Sequence, residues 1–177
     1  MQYQKKNSNR GRRTLVPAKE LQCVINYAAF RLDRYGETSE KKLRVVLKNK
    51  TDNQAWIDQA IERMIDLGYL SDIRYAEMLV RKGVVSKGWG KRRIEQVLRE
   101  KGIPNDVAEQ ALLALENDDP LSRAVGSLSK KFSSKIEYRD QKQYAKAVRH
   151  LGSRGYGFDV ITDAIKQYNE SLEYEEE

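Results

Sequence analysis

The 177-residue chain contains very little of what metal sites and disulfides require. With one cysteine, Cys23, and one histidine, His150, it is unable to form an intramolecular disulfide, a cysteine-rich zinc site or a pair of imidazole ligands. No apolar run approaches the roughly 18 residues of a membrane helix, and the N-terminus has no apolar stretch of the secretory-signal type. The sequence therefore predicts a cytoplasmic protein with no metal site and no membrane segment.

Charge is unevenly distributed along the chain. The net charge is +7, yet residues 1–50 hold 13 basic and 4 acidic residues, whereas residues 151–177 hold 2 basic and 7 acidic ones. A basic N-terminal half favours a polyanion or an acidic protein surface as partner. Residues 1–17 are predicted to be a disordered basic tail and residues 173–177 an acidic tail. The cations of the basic tail are Lys5, Lys6, Arg10, Arg12 and Arg13.

Helical spacing of apolar residues recurs along the whole chain, and strand signals are nearly absent. This pattern predicts an all-α fold of nine short helices. Cys23 lies beside the apolar face of the first helix, where a buried thiol is favoured over a nucleophile. Residues predicted to cap helix starts are Ser39, Asp72, Asp106 with Glu109 as a capping box, Asp119 and Asp159.

The helices follow a repeat that is anchored by three aligned leucines, Leu47, Leu98 and Leu151. Apolar residues also align four positions earlier and about thirteen positions later. We therefore predict three tandem three-helix units, over residues 18–70, 71–117 and 119–172. Gly102 and Gly155 follow the second helix of their units, and both are predicted to adopt the left-handed conformation that ends a helix. A cation repeats at one mid-helix position, as Lys42, Arg93 and Lys146. A second repeats near the helix end, as Lys50, Lys101 and Arg154, where the helix dipole alone favours it.

The most distinctive segment spans residues 81–93, with six cations and a tryptophan between two glycines. Trp89 has two interpretations: it stacks on a base or fills a groove of a partner, or it covers the core of its own unit. The cations are interpreted as contacts to a partner or to phosphates, and the repeated Lys42 and Lys146 join them as candidates. The six cations are Arg81, Lys82, Lys87, Lys91, Arg92 and Arg93.

Catalytic and nucleotide-binding motifs find no match, so the sequence predicts no catalytic residues. Gly83 and Gly88 have the spacing of a phosphate-binding loop, but Trp89 follows where that motif requires lysine, and no strand precedes it. His150 is predicted at a helix end, without the acid and nucleophile of a hydrolase triad.

Several short motifs, in a specific order and spacing, resemble the RecX family, the bacterial regulators of the RecA recombinase. The resemblance is strongest over residues 69–112, and the repeat register extends it over residues 18–172. Two departures are Tyr35–Thr38 in place of a Gly-Trp-Gly loop in the first unit and an insertion at Ser133–Tyr138 in the third. The matching motifs are Tyr69-Leu-Ser-Asp72, Arg74-Tyr-Ala-Glu77, Ser86-Lys-Gly-Trp-Gly, Arg93-Ile94 and Leu98-Arg-Glu-Lys-Gly-Ile103.

The resemblance implies three tandem, homeodomain-like three-helix repeats that form an elongated, curved body. It implies a non-enzymatic monomer that lies in the groove of the RecA–single-stranded DNA filament and lowers filament extension, strand exchange and ATPase activity, without a cofactor. The alternative is a helical architectural or transcription factor that reads duplex DNA. Acidic residues on the predicted third helices disfavour this alternative, because such helices enter a major groove poorly. They include Asp58, Glu62, Asp66, Glu109, Glu116 and Asp163.

Overall fold

The structure is a computed structural model that describes residues 19–115 and 118–175. The cations of the predicted basic tail and the predicted third-helix acid Glu116 lie outside these residues, as do Glu176 and Glu177 of the predicted acidic tail. The last helix continues to Glu175, and so includes the first three residues of that acidic segment.

Within the described ranges all regular structure is helical, and nine α-helices form three sets of three. The first repeat consists of α1 (Leu21–Tyr35), α2 (Glu40–Leu47) and α3 (Gln54–Asp66). The second consists of α4 (Asp72–Arg81), α5 (Lys91–Lys101) and α6 (Asn105–Leu112), and the third of α7 (Pro120–Ser129), α8 (Gln141–Gly152) and α9 (Phe158–Glu175). In each repeat the first and third helices pack most extensively against each other. The predicted all-α fold of three-helix repeats is confirmed.

The residues that begin the helices are only partly those predicted. Ser39 and Asp119 do cap α2 and α7, since their side-chain oxygens accept backbone N–H bonds from the first turn. The prediction for Asp72 is wrong: it is the first residue of α4, which Ser71 caps instead. The carboxylate of Asp72 accepts the backbone N–H of Glu40, at 2.8 Å, and so contributes to the start of α2 in the preceding repeat.

The other two predicted caps are also wrong. The helix α6 begins at Asn105 after Pro104, with no side-chain cap, so Asp106 and Glu109 form no capping box. Asp159 follows Phe158 in the first turn of α9. Asp106 and Asp159 lie within the first turns of their helices. A carboxylate there is stabilised by the positive end of the helix dipole, but it does not cap a backbone N–H.

Each repeat has its own apolar core, and the aligned leucines lie at the centre of each one. Leu47, Leu98 and Leu151 are all fully buried, which confirms the predicted register. The predicted repeat boundaries stay a proposal, which the three separate cores support. Cys23 is exposed, contrary to prediction. The buried face of α1 is formed by Val24 and residues four and eight positions later, and Cys23 is rotated about 100° away from it.

We expect Leu98→Ala and Leu151→Ala each to lower the free energy of unfolding by about 2–5 kcal/mol, because each leaves a cavity in a closed core. Leu113→Ala is the control, since Leu113 is 57% exposed. Chemical denaturation followed by circular dichroism measures the difference. Equal stability of the two core variants and the control would contradict the shared register.

The insertion at Ser133–Tyr138 packs against the third repeat. Ile136 is fully buried, and Asn169 of α9 bonds both its backbone N–H and its carbonyl, at 2.8 and 2.9 Å. The hydroxyl of Tyr168 donates to the carbonyl of Phe132, at 2.9 Å. The insertion therefore extends the core of the third repeat.

Neighbouring repeats are joined at equivalent positions. Between the first and second repeats, Ser39 Oγ donates to the carbonyl of Lys101, at 2.5 Å. Between the second and third, the backbone N–H of Gly90 donates to the carbonyl of Arg154, at 2.8 Å. Ser39 and Gly90 each precede the second helix of their repeat, and Lys101 and Arg154 are the aligned cations at the end of the next repeat's second helix. The same joint is thus built twice.

Candidate functional site

The segment over residues 81–93 connects the first two helices of the second repeat. The helix α4 ends at Arg81, a π-helical turn covers Lys82–Ser86, and α5 begins at Lys91 after the Gly88–Gly90 loop. Gly83 is buried in the turn, where an added Cβ would lie 3.0 Å from both the Trp89 ring and the Ile94 side chain. The turn therefore folds tightly over its own repeat.

The third repeat holds the Gly88–Gly90 loop in place. Arg123 Nη1 donates to the carbonyl of Trp89, at 2.6 Å, and the hydroxyl of Tyr156 donates to the carbonyl of Gly88, at 3.1 Å. Burial raises the pKa of Tyr156, which keeps this hydroxyl a donor. An added Cβ on Gly90 would lie 2.7 Å from the carbonyl oxygen of Gly155. The loop's glycine at position 90 is thus required by the joint between repeats.

Trp89 is half-buried and packs against the core of the second repeat. The guanidinium of Arg93 lies over its ring, 5.6 Å from the centroid, a cation–π contact. Of the two interpretations of the sequence, this position matches the one in which the ring covers its own unit. A contact of Trp89 with a partner stays a prediction.

Five of the six candidate cations in this segment are exposed, and Arg93 is half-buried. Lys91 and Arg92 open α5, whose first turn carries no acidic residue. Cations at this end of a helix oppose its dipole, at a cost of about 0.3–1 kcal/mol each. The stability of the fold therefore gives no reason for Lys91 and Arg92 to be basic. The exposed five are Arg81, Lys82, Lys87, Lys91 and Arg92.

The other two candidates lie on different repeats. Lys42 is exposed on α2, and Lys146 is exposed on α8 with its Nζ 5.6 Å from the ring centroid of Phe132. The candidates therefore come from all three repeats, and most of them lie in the segment from the end of α4 to the start of α5.

The third helices carry exposed acidic residues, as the sequence indicates. On α3, Asp58 pairs with Arg44 of α2, and this hydrogen bond lowers the pKa of the Asp58 carboxyl. Glu62, Glu109 and Asp163 are also exposed. Negative charge on these helices opposes their insertion into a DNA major groove. No observation here favours duplex reading.

Sequence reasoning missed a second group of cations, which the third repeat contributes. Arg123, Lys130, Lys131 and Arg154 line a cleft beside the π-helical turn, together with His150. They are separated by up to 31 positions along the sequence and share no motif, so only the fold brings them together. The one signal was Arg154, which the repeat register aligns with Lys101.

The described residues contain neither a candidate metal centre nor a candidate membrane-spanning helix. No group of three or more His, Cys, Asp or Glu side chains there has the arrangement to hold a metal ion. No helix in those same ranges is both long enough and apolar enough to cross a membrane.

Residues 71–112 match the family model described as "RecX, second three-helix domain", and residues 117–165 match "RecX, third three-helix domain". Regulatory protein RecX of Vibrio parahaemolyticus is 43% identical over 124 residues, which are 70% of this chain and 78% of that protein. Regulatory protein RecX of Deinococcus radiodurans is 27% identical over 161 residues, covering 91% and 76% of the two chains. The crystal structure of RecX from Lactobacillus salivarius superposes with a TM-score of 0.70 at 25% identity, over 84% of this chain and 96% of that one.

Proposed function

Because the chain belongs to the RecX family of regulatory proteins, we propose that it binds the RecA–single-stranded DNA filament and inhibits recombinase activity without catalysis of its own. Inhibition would act on filament extension, and through it on strand exchange and ATPase activity. The protein works as a monomer, as an elongated and curved body whose three repeats follow the filament groove. It needs no cofactor.

The observation that carries this proposal is the exposed basic surface at the start of α5. Lys91 and Arg92 stand where the helix dipole disfavours them, beside Lys87 and the exposed end of α4. Clustered cations accelerate association with a negatively charged filament and supply the arginine contacts on which many interfaces depend. Two hydrogen bonds from the third repeat, those of Arg123 and Tyr156, anchor the loop from which these side chains project.

Filament disassembly on labelled single-stranded DNA tests the proposal. We expect the protein to shorten the lifetime of RecA filaments at concentrations at which it leaves the bare labelled DNA unbound. A large excess of unlabelled single-stranded DNA is the control for simple competition. A direct action on the filament would be contradicted if excess DNA removed the inhibition and if the inhibition varied in proportion to the affinity of the protein for bare DNA.

A further inference from the structure

A cleft of about 480 Å³ lies between the second and third repeats, apart from the surface at the start of α5. One wall is the end of the π-helical turn with Lys87, and the other consists of α7, the residues that follow it, and the end of α8. The volume is within the range of about 300–1,000 Å³ that is typical of ligand sites.

Positive charge dominates this cleft. Five cations line it, and no Asp or Glu does so in the described part of the chain. Arg123 is already engaged, since its Nη2 pairs with Asp118 at 2.5 Å and its Nη1 bonds the loop carbonyl of Trp89. Among the residues that the structure describes, the four lining cations without such an acidic partner are Lys87, Lys130, Lys131 and Arg154, and the first three are exposed.

Two buried donors in the cleft walls lack an acceptor. The Nε–H groups of Arg123 and Arg154 are buried without a hydrogen-bond partner among the described residues. A buried donor that makes no hydrogen bond is costly, and a guanidinium is suited to bind phosphate oxygens in pairs. Arg123 is held by Asp118 and the Trp89 carbonyl, so Arg154 is the guanidinium that a ligand with acceptor oxygens would engage.

His150 lies at the back of the cleft and holds Arg154. Its Nδ1 is 3.1 Å from Arg154 Nη1, and its Nε2 is 3.1 Å from Ser127 Oγ and 3.2 Å from the Ser127 carbonyl. Because a guanidinium only donates, Nδ1 must accept, and the ring hydrogen of neutral His150 is on Nε2. A proton on Nδ1 would oppose the Arg154 donor and leave Arg154 Nη1 with its bond to the His150 backbone carbonyl, at 3.2 Å.

We propose that this cleft binds a phosphate group of single-stranded nucleic acid, through Lys130, Lys131 and Arg154. The inference rests on the proposed function and deepens it, since it assigns a DNA contact to the joint between the second and third repeats. A nucleic acid is favoured over an acidic protein because the cations continue outside the cleft. Lys87 lies at the cleft, and Lys82 and Arg81 precede it along the π-helical turn and the end of α4. These three cations could contact successive phosphates of one strand.

The test is binding of labelled oligothymidylate to the full chain, without recombinase, by fluorescence anisotropy. Lys130→Gln with Lys131→Gln is compared with Lys48→Gln with Lys142→Gln, which removes the same charge at exposed sites outside the cleft. Lys130 and Lys48 are both C-cap residues, so the helix ends are matched. We expect the cleft variant to lose about tenfold in affinity and to flatten the log affinity–log salt slope by about 0.7, the value for the one phosphate that the cleft holds.

Binding by the cleft variant equal to that of its control would overturn the proposal. Because recombinase is absent, that outcome would leave the proposed function intact. Two competitors identify the ligand. Unlabelled oligothymidylate should displace the probe far better than inorganic phosphate or polyglutamate at equal charge. Equal displacement by polyglutamate would instead assign the cleft to an acidic protein, and equal displacement by inorganic phosphate would assign it to a free anion.

The pH dependence of the same binding tests the role of His150. Burial, followed by the charges of Arg154 and Lys131, lowers the pKa of His150 from its ordinary value of 6.5. A bound phosphate would offset the positive charges of Arg154 and Lys131 and so raise the pKa of His150. Binding of the phosphate would therefore be accompanied by uptake of a proton by His150. The other charged groups that line the cleft are Lys87, Lys130 and Arg123.

Affinity for oligothymidylate should therefore increase as the pH falls from about pH 8 to about pH 5.5. His150 is the only histidine in the chain, so His150→Gln should remove most of this increase. The variant is assessed on the shape of its pH profile, because the substitution also changes how Arg154 is held. An unchanged pH profile would contradict the coupling of His150 to the bound phosphate.

Discussion

Gly155→Ala should separate the second and third repeats and cause one of the largest losses of stability among single substitutions in this chain. Gly155 has φ +83°, a left-handed conformation that costs other residues about 1–2 kcal/mol. An added Cβ would also lie 2.7 Å from Arg93 Cβ and closer still to the Arg93 backbone nitrogen. Backbone atoms are unable to move aside as a flexible side chain does. With overpacking included, we expect a loss of about 2–5 kcal/mol.

Two other glycines separate the causes of that loss. Gly68 also has positive φ, at +71°, but no atom lies within 4 Å of an added Cβ, so Gly68→Ala measures backbone strain alone. Gly152 has ordinary helical geometry and equally open surroundings, so Gly152→Ala should be neutral or slightly stabilising. Chemical denaturation of the three variants gives the comparison. A loss for Gly155→Ala no larger than that for Gly68→Ala would show that the joint is not tightly packed.

The fold was predictable because most of the residues that determine it recur at regular intervals along the sequence. The aligned leucines, Gly102 and Gly155 are all where the repeat register places them, and both glycines are left-handed. Caps were less predictable, since the choice between adjacent polar residues depends on distant partners. Asp72 is an example: its carboxylate serves Glu40 of the preceding repeat, which leaves Ser71 to cap α4.

The joints between repeats could not be predicted from the sequence, and neither could the cleft beside one of them. The acceptors at both joints are backbone carbonyls, those of Lys101 and Arg154, and a carbonyl has no residue-specific signature. Gly90 is visible only as one of the two glycines beside Trp89, a pattern that does not indicate a joint between repeats. In the cleft, Lys87 and Arg154 come from different repeats, so no local pattern connects them.

The joint also changes how the candidate surface should be tested. The guanidinium of Arg93 covers Trp89, and Gly155 packs against the backbone of Arg93. Reversing the charge of Arg93 would therefore disturb the structure as well as the surface. Trp89→Ala would likewise remove packing from the second-repeat core. Lys91 and Arg92 are free of this difficulty, since both are exposed at the first turn of α5.

Lys91→Glu with Arg92→Glu should abolish most of the inhibition of recombinase ATPase while the fold becomes no less stable. Glutamate at a helix start is favoured by the dipole, so the two changes should together raise the free energy of unfolding by about 1 kcal/mol. If these cations contact the filament, the concentration for half inhibition should rise by about tenfold or more, equivalent to about 1.4 kcal/mol of binding. Inhibition is therefore expected to weaken while the free energy of unfolding rises, so a loss of inhibition would not be explained by unfolding.

The matched control is Arg139→Glu with Lys142→Glu. Both residues are exposed, Lys142 in the first turn of α8 and Arg139 just before its cap residue Asp140, and the change in net charge is the same. A general effect of charge on attraction to the filament would weaken both variants equally, whereas a contact at α5 would weaken only the first. If both retain full inhibition, the surface at the start of α5 is not the filament contact. The same pair of substitutions at Lys42 and Lys146 then tests the aligned positions on the outer repeats.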